Sequence, residues 1–205
     1  MGNTIHRAVE CTTLDCPHFK TCCRMPSSIY YNEAGTVDVV IVGQGAGWQE
    51  EHAQRSWCGK AGQLLRNILR DIRQDHMWDY GICLTNTVRC RPTQEQDGKL
   101  VDRAPTSVEL GFCMSYLYRD IIEMRPKVLL LMGGSAASAF GHNRSVTSLR
   151  GRLRTSMVLI STEDDLAIPT IVTFHPAGVL RQPNLGRDMR RDIELAFNKA
   201  KESQC

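Results

Sequence analysis

A glycine-rich turn with two carboxylates behind it is the part of the chain best suited to chemistry. Residues 39–42 form an apolar, β-branched run, glycines alternate over residues 43–47, and Glu50 and Glu51 follow. Glycine lets the main chain turn tightly and bring bare N–H groups close to a ligand, although many α/β proteins use such glycines only to make the turn. The spacing matches neither a dinucleotide-binding G-x-G-x-x-G nor a phosphate-binding P-loop, so neither nucleotide site is favoured.

Polar residues suited to recognising a ligand stand at the ends of two further predicted strands. Asn86 lies in the segment T-N-T-V-R-C-R-P at the end of one strand, and His175 comes directly after the last strand. In open parallel sheets, ligands bind beyond the carboxyl ends of the strands. The glycine turn, Asn86 and His175 are therefore expected to share one site.

These residues must be positioned by strands and helices that alternate along the chain. The predicted strands are residues 36–42, 80–88, 127–132, 157–160 and 168–174. The predicted helices are residues 59–74, 107–124, 136–140 and 184–201, with Ser107 as a cap, and residues 93–107 are expected to be a loop. Alternating strands and helices predict a three-layer α/β/α fold with a central, largely parallel sheet.

The composition is typical of one globular domain. The chain has 205 residues, of which 42% are apolar and 23% charged, so a single domain over residues 1–205 is expected. The net charge of +3 is too small to indicate a nucleic-acid partner by itself. No run approaches the ~20 apolar residues that span a bilayer. Residues 1–10 lack a signal-peptide core, so a cytoplasmic protein without a membrane partner is expected.

Cysteine is unusually frequent in this sequence. The chain has nine cysteines, four of them within residues 11–23. Residues 1–30 also contain two prolines, which interrupt helices, so a long helix is not expected there. This irregular segment needs a cross-link to hold it to the rest of the fold. Without a secretory signal, metal or cluster ligation is favoured over a disulfide framework.

Four ordered blocks carry a resemblance to a known family. They are G-Q-G-A-G-x-x-E-E, W-C-G-K-A-G-x-L-L, T-N-T-V-R-C-R-P and H-P-A-G-V-L-R. In this order, and over residues 11–195, the chain resembles the iron–sulfur uracil-DNA glycosylases, which are family 4 of that superfamily. The resemblance implies an enzyme that flips uracil, or a related modified pyrimidine, out of DNA. It would then hydrolyse the N-glycosidic bond, in base-excision repair.

The resemblance also implies roles for individual residues. Gly43 and Gly45 would contact the flipped base, Trp57 would stack on it, and Asn86 would read its edge. An asparagine amide carries a donor and an acceptor, which match the O4 and N3–H of uracil. His175 would stabilise the negative charge that builds on the uracil O2 as the bond breaks.

Gln44 is the main departure from the family pattern. The family motif is G-E-A-P-G, and Gln44 replaces the glutamate that directs water. A glutamine side chain cannot take a proton as a general base. Glu50 and Glu51 match the family's acidic pair, so Gln44 and Glu50 are expected to orient the water together. The alternatives are a module that binds flipped or damaged bases without hydrolysis, and a DNA base-modification enzyme.

The resemblance further implies a [4Fe–4S] cluster that four cysteines bind and that ties residues 1–30 to the sheet. The chosen ligands are Cys11, Cys16, Cys90 and Cys113. Cys22 or Cys23 is the alternative for either member of the first pair, and the loop between the second pair is longer here than in the family. Zinc is the alternative metal, since four cysteines also bind it tetrahedrally.

Basic residues near the same strand ends are expected to contact DNA, because phosphate neutralisation needs a basic face rather than a large net charge. The chosen residues are Lys60, Arg89, Arg91, Arg150 and Arg181. The resemblance places Leu180 and Arg181 in a loop that enters the duplex. The expected partner is DNA that contains uracil or a modified base, and the expected state of the protein is a monomer.

Overall fold

The structure is a computed structural model that describes residues 16, 26–73, 80–158 and 166–202, together with the backbone of residues 4–7. Its strands are β1 (Thr4–Arg7), β2 (Ser27–Tyr30), β3 (Val39–Gly43), β4 (Ile82–Asn86), β5 (Thr93–Gln96), β6 (Lys99–Asp102), β7 (Val128–Met132), β8 (Leu153–Val158) and β9 (Leu166–Thr173). Its helices are α1 (Trp48–Ala53), α2 (Lys60–Arg73), α3 (Ser107–Met124), α4 (Gly134–Ala139), α5 (Val146–Leu149), α6 (Pro176–Arg181) and α7 (Gly186–Glu202). None of the described helices has the length and apolar character that a membrane crossing requires.

Seven of the described strands form one sheet, in the order β1-β2-β4-β3-β7-β9-β8. The central strands β4, β3, β7 and β9 run parallel, while β2 and β8 add antiparallel strands on either side of them. β1 extends the β2 side and is also antiparallel to its neighbour. The register pairs Gly43 with Asn86, so the last residues of β3 and β4 lie side by side.

Helices cover both faces of this sheet. β3, β4 and β7 are buried along their whole length, as parallel strands between two helical layers are. On one face, Leu65 of α2 packs in the same cluster as Met189 and Ile193 of α7. On the other face, Leu117 and Ile121 of α3 pack with the small residues of α4. The predicted three-layer α/β/α fold with a largely parallel sheet is confirmed.

Residues 93–107 are not the plain loop that the sequence analysis expected. β5 and β6 form a separate two-stranded hairpin, in which Gln96 pairs with Lys99. The turn residues Asp97 and Gly98 have φ of 50° and 71°, the left-handed conformation of a two-residue hairpin turn. The dipeptide D-G was the signal for this hairpin, but the mostly exposed, polar strands around it show no apolar alternation.

α3 has the predicted bounds, but Thr106 caps it rather than Ser107. Thr106 Oγ1 accepts a hydrogen bond from the N–H of Glu109 at 3.2 Å, and the Glu109 carboxylate accepts one from the N–H of Thr106 at 2.7 Å. This reciprocal pair is a capping box. The strands β1 and β2 and the short helices α1, α5 and α6 were also missed.

Candidate active site

A cavity of about 670 Å³ opens beyond the carboxyl ends of β3 and β4. The predicted site residues that line it are Gln44, Gly45, Glu50, Trp57, Lys60, Asn86, His175, Leu180 and Arg181. These residues come from distant parts of the chain, and they meet because parallel strands end at the same edge of the sheet. The expectation of one shared site at the strand ends therefore agrees with the geometry.

Gly43 ends β3 next to Asn86 and Trp57, two side chains that line this cavity. A Cβ atom at this position would lie 2.5 Å from Asn86 Oδ1 and 2.6 Å from Trp57 Cζ2. Both distances are shorter than any non-bonded contact, so only glycine lets the end of β3 approach Asn86 and Trp57 this closely. Asn86 itself is 6% exposed and ends β4. Gly43 thus acts by leaving room for these two side chains.

Trp57 is held by the backbone around it. Its indole N–H donates to the carbonyl oxygen of Thr85 at 3.1 Å, and the residue has a φ of 58°, which bulky residues rarely adopt. The Trp57 ring lies 5.6 Å from the His175 ring, with 27° between the ring planes. A base between two rings needs about 7 Å, which is two contact distances of ~3.5 Å. A base therefore does not fit between the two rings.

His175 is the second residue beyond β9 and caps α6. Its Nδ1 accepts a hydrogen bond from the N–H of Ala177 at 3.2 Å. Burial, with a smaller contribution from the nearby Arg181 charge, lowers the pKa of His175 from 6.5 to about 4. The imidazole is therefore neutral at physiological pH. Because Nδ1 is the acceptor, the proton of the neutral ring lies on Nε2, which remains free to donate to a ligand.

Gln44 is bound at both ends of its side-chain amide. Its Nε2 donates to the carbonyl oxygen of Arg103 at 3.0 Å, and its Oε1 accepts from the Ser135 hydroxyl at 2.8 Å. Its main-chain oxygen accepts from the Thr87 hydroxyl at 2.6 Å. The side chain is half-buried and lines the cavity. Gln44 is thus oriented by its neighbours and offers the cavity an amide, not a base.

Glu50 connects two helices at the wall of the cavity. It lies in the first turn of α1, and its Oε1 accepts a hydrogen bond from the N–H of Gly59 at 2.8 Å, just before α2. A Cβ atom at Gly47 would lie 2.9 Å from Glu50 Oε2, so this second oxygen faces the glycine turn. Glu51 instead forms an ion pair with Arg91 at 3.2 Å. Of the acidic pair, only Glu50 lines the cavity.

The structure places two of the predicted DNA contacts in ion pairs within the protein. Arg89 is 4% exposed, and its Nη2 pairs with the Asp120 carboxylate at 2.5 Å while its Nη1 donates to Ser27. Arg150 forms two hydrogen bonds of 2.9 Å with the Asp192 carboxylate. Both guanidinium groups form ion pairs with protein carboxylates, and that of Arg89 is also buried away from solvent. The pattern R-x-R and the nearby strand ends did not reveal these partners.

The other three basic residues lie at or near the cavity. Lys60 and Arg181 are exposed and line it. Arg91 is bridged to Asp102 at 2.6 Å and to Glu51 at 3.2 Å. Burial lowers the pKa of Arg91, but the hydrogen bonds to these two carboxylates together raise it by more. The pKa of Arg91 is therefore raised overall. Of these three residues, Lys60 and Arg181 therefore lie on the rim of the cavity, whereas Arg91 is paired with two carboxylates and does not line it.

The described members of the predicted cysteine set are all buried. Cys16, Cys90 and Cys113 are 7%, 6% and 8% exposed. Cys90 is disulfide-bonded, and Cys11 lies outside the described residues. Within the described part of the chain, no group of three or more His, Cys, Asp or Glu side chains is arranged to hold a metal ion. The disulfide at Cys90 shows a second cysteine sulfur beside it, and a cluster likewise needs several sulfurs close together.

Three residues at the site were not singled out from the sequence. Trp48 lines the cavity with 54% of its surface exposed, and its ring lies 4.0 Å from the His52 ring. Ser135 follows the glycine pair after β7, and its position at a further strand end was a usable signal. Arg103 reaches Gln44 through its main-chain carbonyl, which no sequence pattern reveals.

Comparison with known proteins identifies the family. A profile of the uracil DNA glycosylase superfamily matches residues 30–200. The type-4 uracil-DNA glycosylase of Thermotoga maritima is 33% identical over 168 residues, which are 80% of this chain and 76% of that protein. The type-4 enzyme of Sulfurisphaera tokodaii is 30% identical over 173 residues, 80% of this chain and 69% of that protein. That of Archaeoglobus fulgidus is 30% identical over 169 residues, 80% of this chain and 76% of that protein. Since both the profile and these relatives match most of its length, the chain belongs to the uracil DNA glycosylase superfamily.

Proposed function

We propose that this chain is a uracil-DNA glycosylase that removes uracil, or a related modified pyrimidine, from DNA in base-excision repair. The observation that carries the proposal is a neutral His175 in one cavity with Asn86 and Trp57. The relatives named type-4 uracil-DNA glycosylase support the same assignment. The Gln44 amide is the one feature that favours the second candidate, a module that binds flipped bases without hydrolysing them.

Recognition begins with rotation of the base out of the duplex. This step costs a few kcal/mol of lost stacking and pairing, which contacts in the pocket offset. Asn86, at the end of β4, offers one amide that donates to the uracil O4 and accepts from N3–H. Trp57 supplies an aromatic surface for the base along the cavity wall.

Hydrolysis breaks the bond between C1′ of the deoxyribose and N1 of uracil, and the electron pair leaves with the base. The negative charge gathers on the uracil oxygens, and His175 Nε2–H donates to O2 as it develops. The oxygen of a water molecule forms the new bond to C1′, and its proton passes to the solvent. Gln44 and Glu50 orient this water from the cavity wall.

The DNA strand would lie across the mouth of the cavity. Lys60 and Arg181 are exposed there and supply positive charge for phosphates. Leu180, in the same helix as Arg181, is 48% exposed and would fill the space that the flipped base leaves. Trp48 adds an exposed aromatic surface at the same mouth. The protein would act as an intracellular, cytoplasmic monomer.

Trp48→Ala is expected to raise the KM for a uracil-containing oligonucleotide about tenfold and to leave kcat nearly unchanged. The reason is that base–aromatic stacking contributes ~1–3 kcal/mol to binding without touching the bond that breaks. Steady-state kinetics on single-stranded DNA measure both constants. Met157→Ala removes an equally exposed apolar side chain outside the cavity lining and serves as the control. An unchanged KM for Trp48→Ala would remove Trp48 from the DNA surface.

The cysteines would hold a [4Fe–4S] cluster, with Cys11, Cys16, Cys90 and Cys113 as ligands. The buried positions of the three described members support this set. The cluster would cross-link residues 1–30, an irregular segment, to the rest of the fold. Zinc remains the alternative metal for four thiolates.

The purified protein is expected to contain about four iron atoms per chain and to show the broad visible absorption of thiolate-bound iron. Cys90→Ser should lose both, whereas Cys58→Ser, which changes a free cysteine outside the proposed set, should keep them. Metal analysis and absorption spectroscopy test this directly. Stoichiometric zinc, or a colourless protein without iron, would contradict the iron–sulfur assignment.

The proposed function is tested by strand cleavage after alkali, with single- and double-stranded oligonucleotides that carry one uracil, and with thymine in the matched controls. Alkali-labile product at the uracil alone is expected. Absence of product, together with retained binding to the same DNA, would favour the binding module instead.

A further inference from the structure

Two departures from the family pattern meet at a single hydrogen bond. The first is Gln44, which stands where the family has glutamate, and the second is the longer segment between Cys90 and Cys113. The longer segment forms the β5–β6 hairpin and returns to the cavity at Arg103. There the Arg103 carbonyl oxygen accepts a hydrogen bond from Gln44 Nε2 at 3.0 Å.

This contact determines which chemical group position 44 can carry. A carbonyl oxygen only accepts hydrogen bonds, so the atom that faces it must be a donor. The amide nitrogen therefore points to Arg103, and Oε1 points to Ser135, whose hydroxyl donates at 2.8 Å. A glutamate in the same conformation would place a carboxylate oxygen about 3 Å from the carbonyl oxygen, with no proton between the two acceptors.

The carbonyl of Arg103 is not free to move aside. The Arg103 guanidinium forms two hydrogen bonds with the Glu109 carboxylate, at 2.6 and 2.7 Å, and a third with the Thr93 carbonyl at 2.9 Å. Its main-chain N–H donates to the Pro92 carbonyl at 3.1 Å. Glu109 is only 3% exposed and also closes the capping box of α3. Moving the carbonyl would therefore break contacts at both ends of the hairpin and at the start of α3.

We infer that position 44 and the 93–106 segment form one coupled unit that requires an amide at position 44, and that Ser135 is a positioning residue acting through that amide. Under the proposed glycosylase function, on which this inference rests for its effect on catalysis, Gln44 orients water by hydrogen bonding alone. Restoring the family's glutamate would therefore impair this protein instead of improving it.

The first test is Gln44→Glu in the full chain, followed by thermal unfolding between pH 5 and 8. The variant's melting temperature is expected to fall about 5 °C below that of the wild type at pH 8, because two acceptors would face each other with no proton between them. The difference should shrink toward pH 5. There the carboxyl, whose pKa the carbonyl raises, is protonated and can donate to it. Gln94→Glu makes the same chemical change on the exposed face of the hairpin and should show no such pH dependence.

The second test is a mutant cycle of Gln44→Ala and Ser135→Ala, read as uracil excision. Ser135→Ala should lower kcat several-fold in the wild-type background and have no further effect in the Gln44→Ala background. Ser135→Thr keeps the hydroxyl and should restore most of the activity. Equal losses in the two backgrounds would show that Ser135 does not act through Gln44 and would overturn its assignment.

The stability readout separates this inference from the proposed function. Gln44→Glu with wild-type stability at every pH, or with faster uracil excision at pH 8, would overturn the coupled unit and leave the glycosylase assignment intact. Conversely, if the wild type excises no uracil but Gln44→Glu shows the pH-dependent destabilisation, the coupled unit is supported and the glycosylase function fails.

Discussion

Replacing His175 with alanine is expected to lower the rate of uracil excision at pH 7.5 by about 10²–10³-fold, the usual effect of removing one donor to a developing oxyanion. His175 Nε2 holds the proton of a neutral ring because Nδ1 accepts from the N–H of Ala177. The loss should fall on kcat, since the charge on uracil develops only as the bond breaks. Single-turnover excision measures it. His142→Ala, a change to a half-buried histidine outside the cavity lining, should leave the rate near that of the wild type.

The same histidine gives a prediction for pH. Because burial and Arg181 lower the pKa of His175 to about 4, its protonation state does not change between pH 5.5 and 8. The excision rate should therefore show no inflection near 6.5 from this group. Below about pH 4 the ring becomes charged, and Nδ1 can no longer accept from Ala177, so activity should fall. An inflection near pH 6.5 that His175→Asn abolishes would contradict a neutral, buried imidazole.

The lowered pKa of His175 also makes the stability of the folded protein depend on pH. The unfolded chain binds a proton at His175 below about pH 6.5, whereas the folded chain does so only below about pH 4. Unfolding therefore takes up a proton between these values, and the wild type loses stability as pH falls from 6.5 to 4. His175→Asn lacks this group and should lose less stability over the same range. Thermal unfolding of both proteins across these pH values measures the difference.

Arg89→Met is expected to destabilise the fold by ~3–5 kcal/mol, the usual cost of leaving one member of a buried ion pair alone. Arg89 and Asp120 have side chains that are 5% and 2% exposed, so the remaining Asp120 carboxylate would lack both its partner and water. Urea unfolding at pH 7.5 measures the change. The double variant Arg89→Met, Asp120→Leu removes both charges and should recover most of the lost stability.

A matched surface change distinguishes this role from DNA contact. Arg152 is exposed, and Arg152→Met should change the free energy of unfolding by less than about 0.5 kcal/mol. If Arg89→Met instead keeps wild-type stability and weakens DNA binding with a smaller salt dependence, Arg89 contacts phosphate, as the sequence analysis expected. That result would exclude the ion-pair role assigned here.

Much of the fold was predictable because its signals are local. The buried β-branched and leucine runs of β3 and β7, and the apolar stripe of α2, can be identified from neighbouring residues alone. The convergence of Asn86 and His175 followed from one general rule, that the carboxyl ends of parallel strands share an edge. Once the strands had been predicted, the sequence therefore also predicted which of these residue types would meet at the cavity.

The tertiary structure decided what those residue types do. Arg89 and Arg181 are the same amino acid near the same strand ends, yet the first is buried against Asp120 and the second is exposed at the cavity. Gln44 is oriented by a carbonyl and a hydroxyl that are 59 and 91 residues away along the chain. The neutral state of His175 depends on burial by surrounding segments. Ion pairing, amide orientation and protonation depend on distances between remote segments, and those distances exist only once the chain has folded.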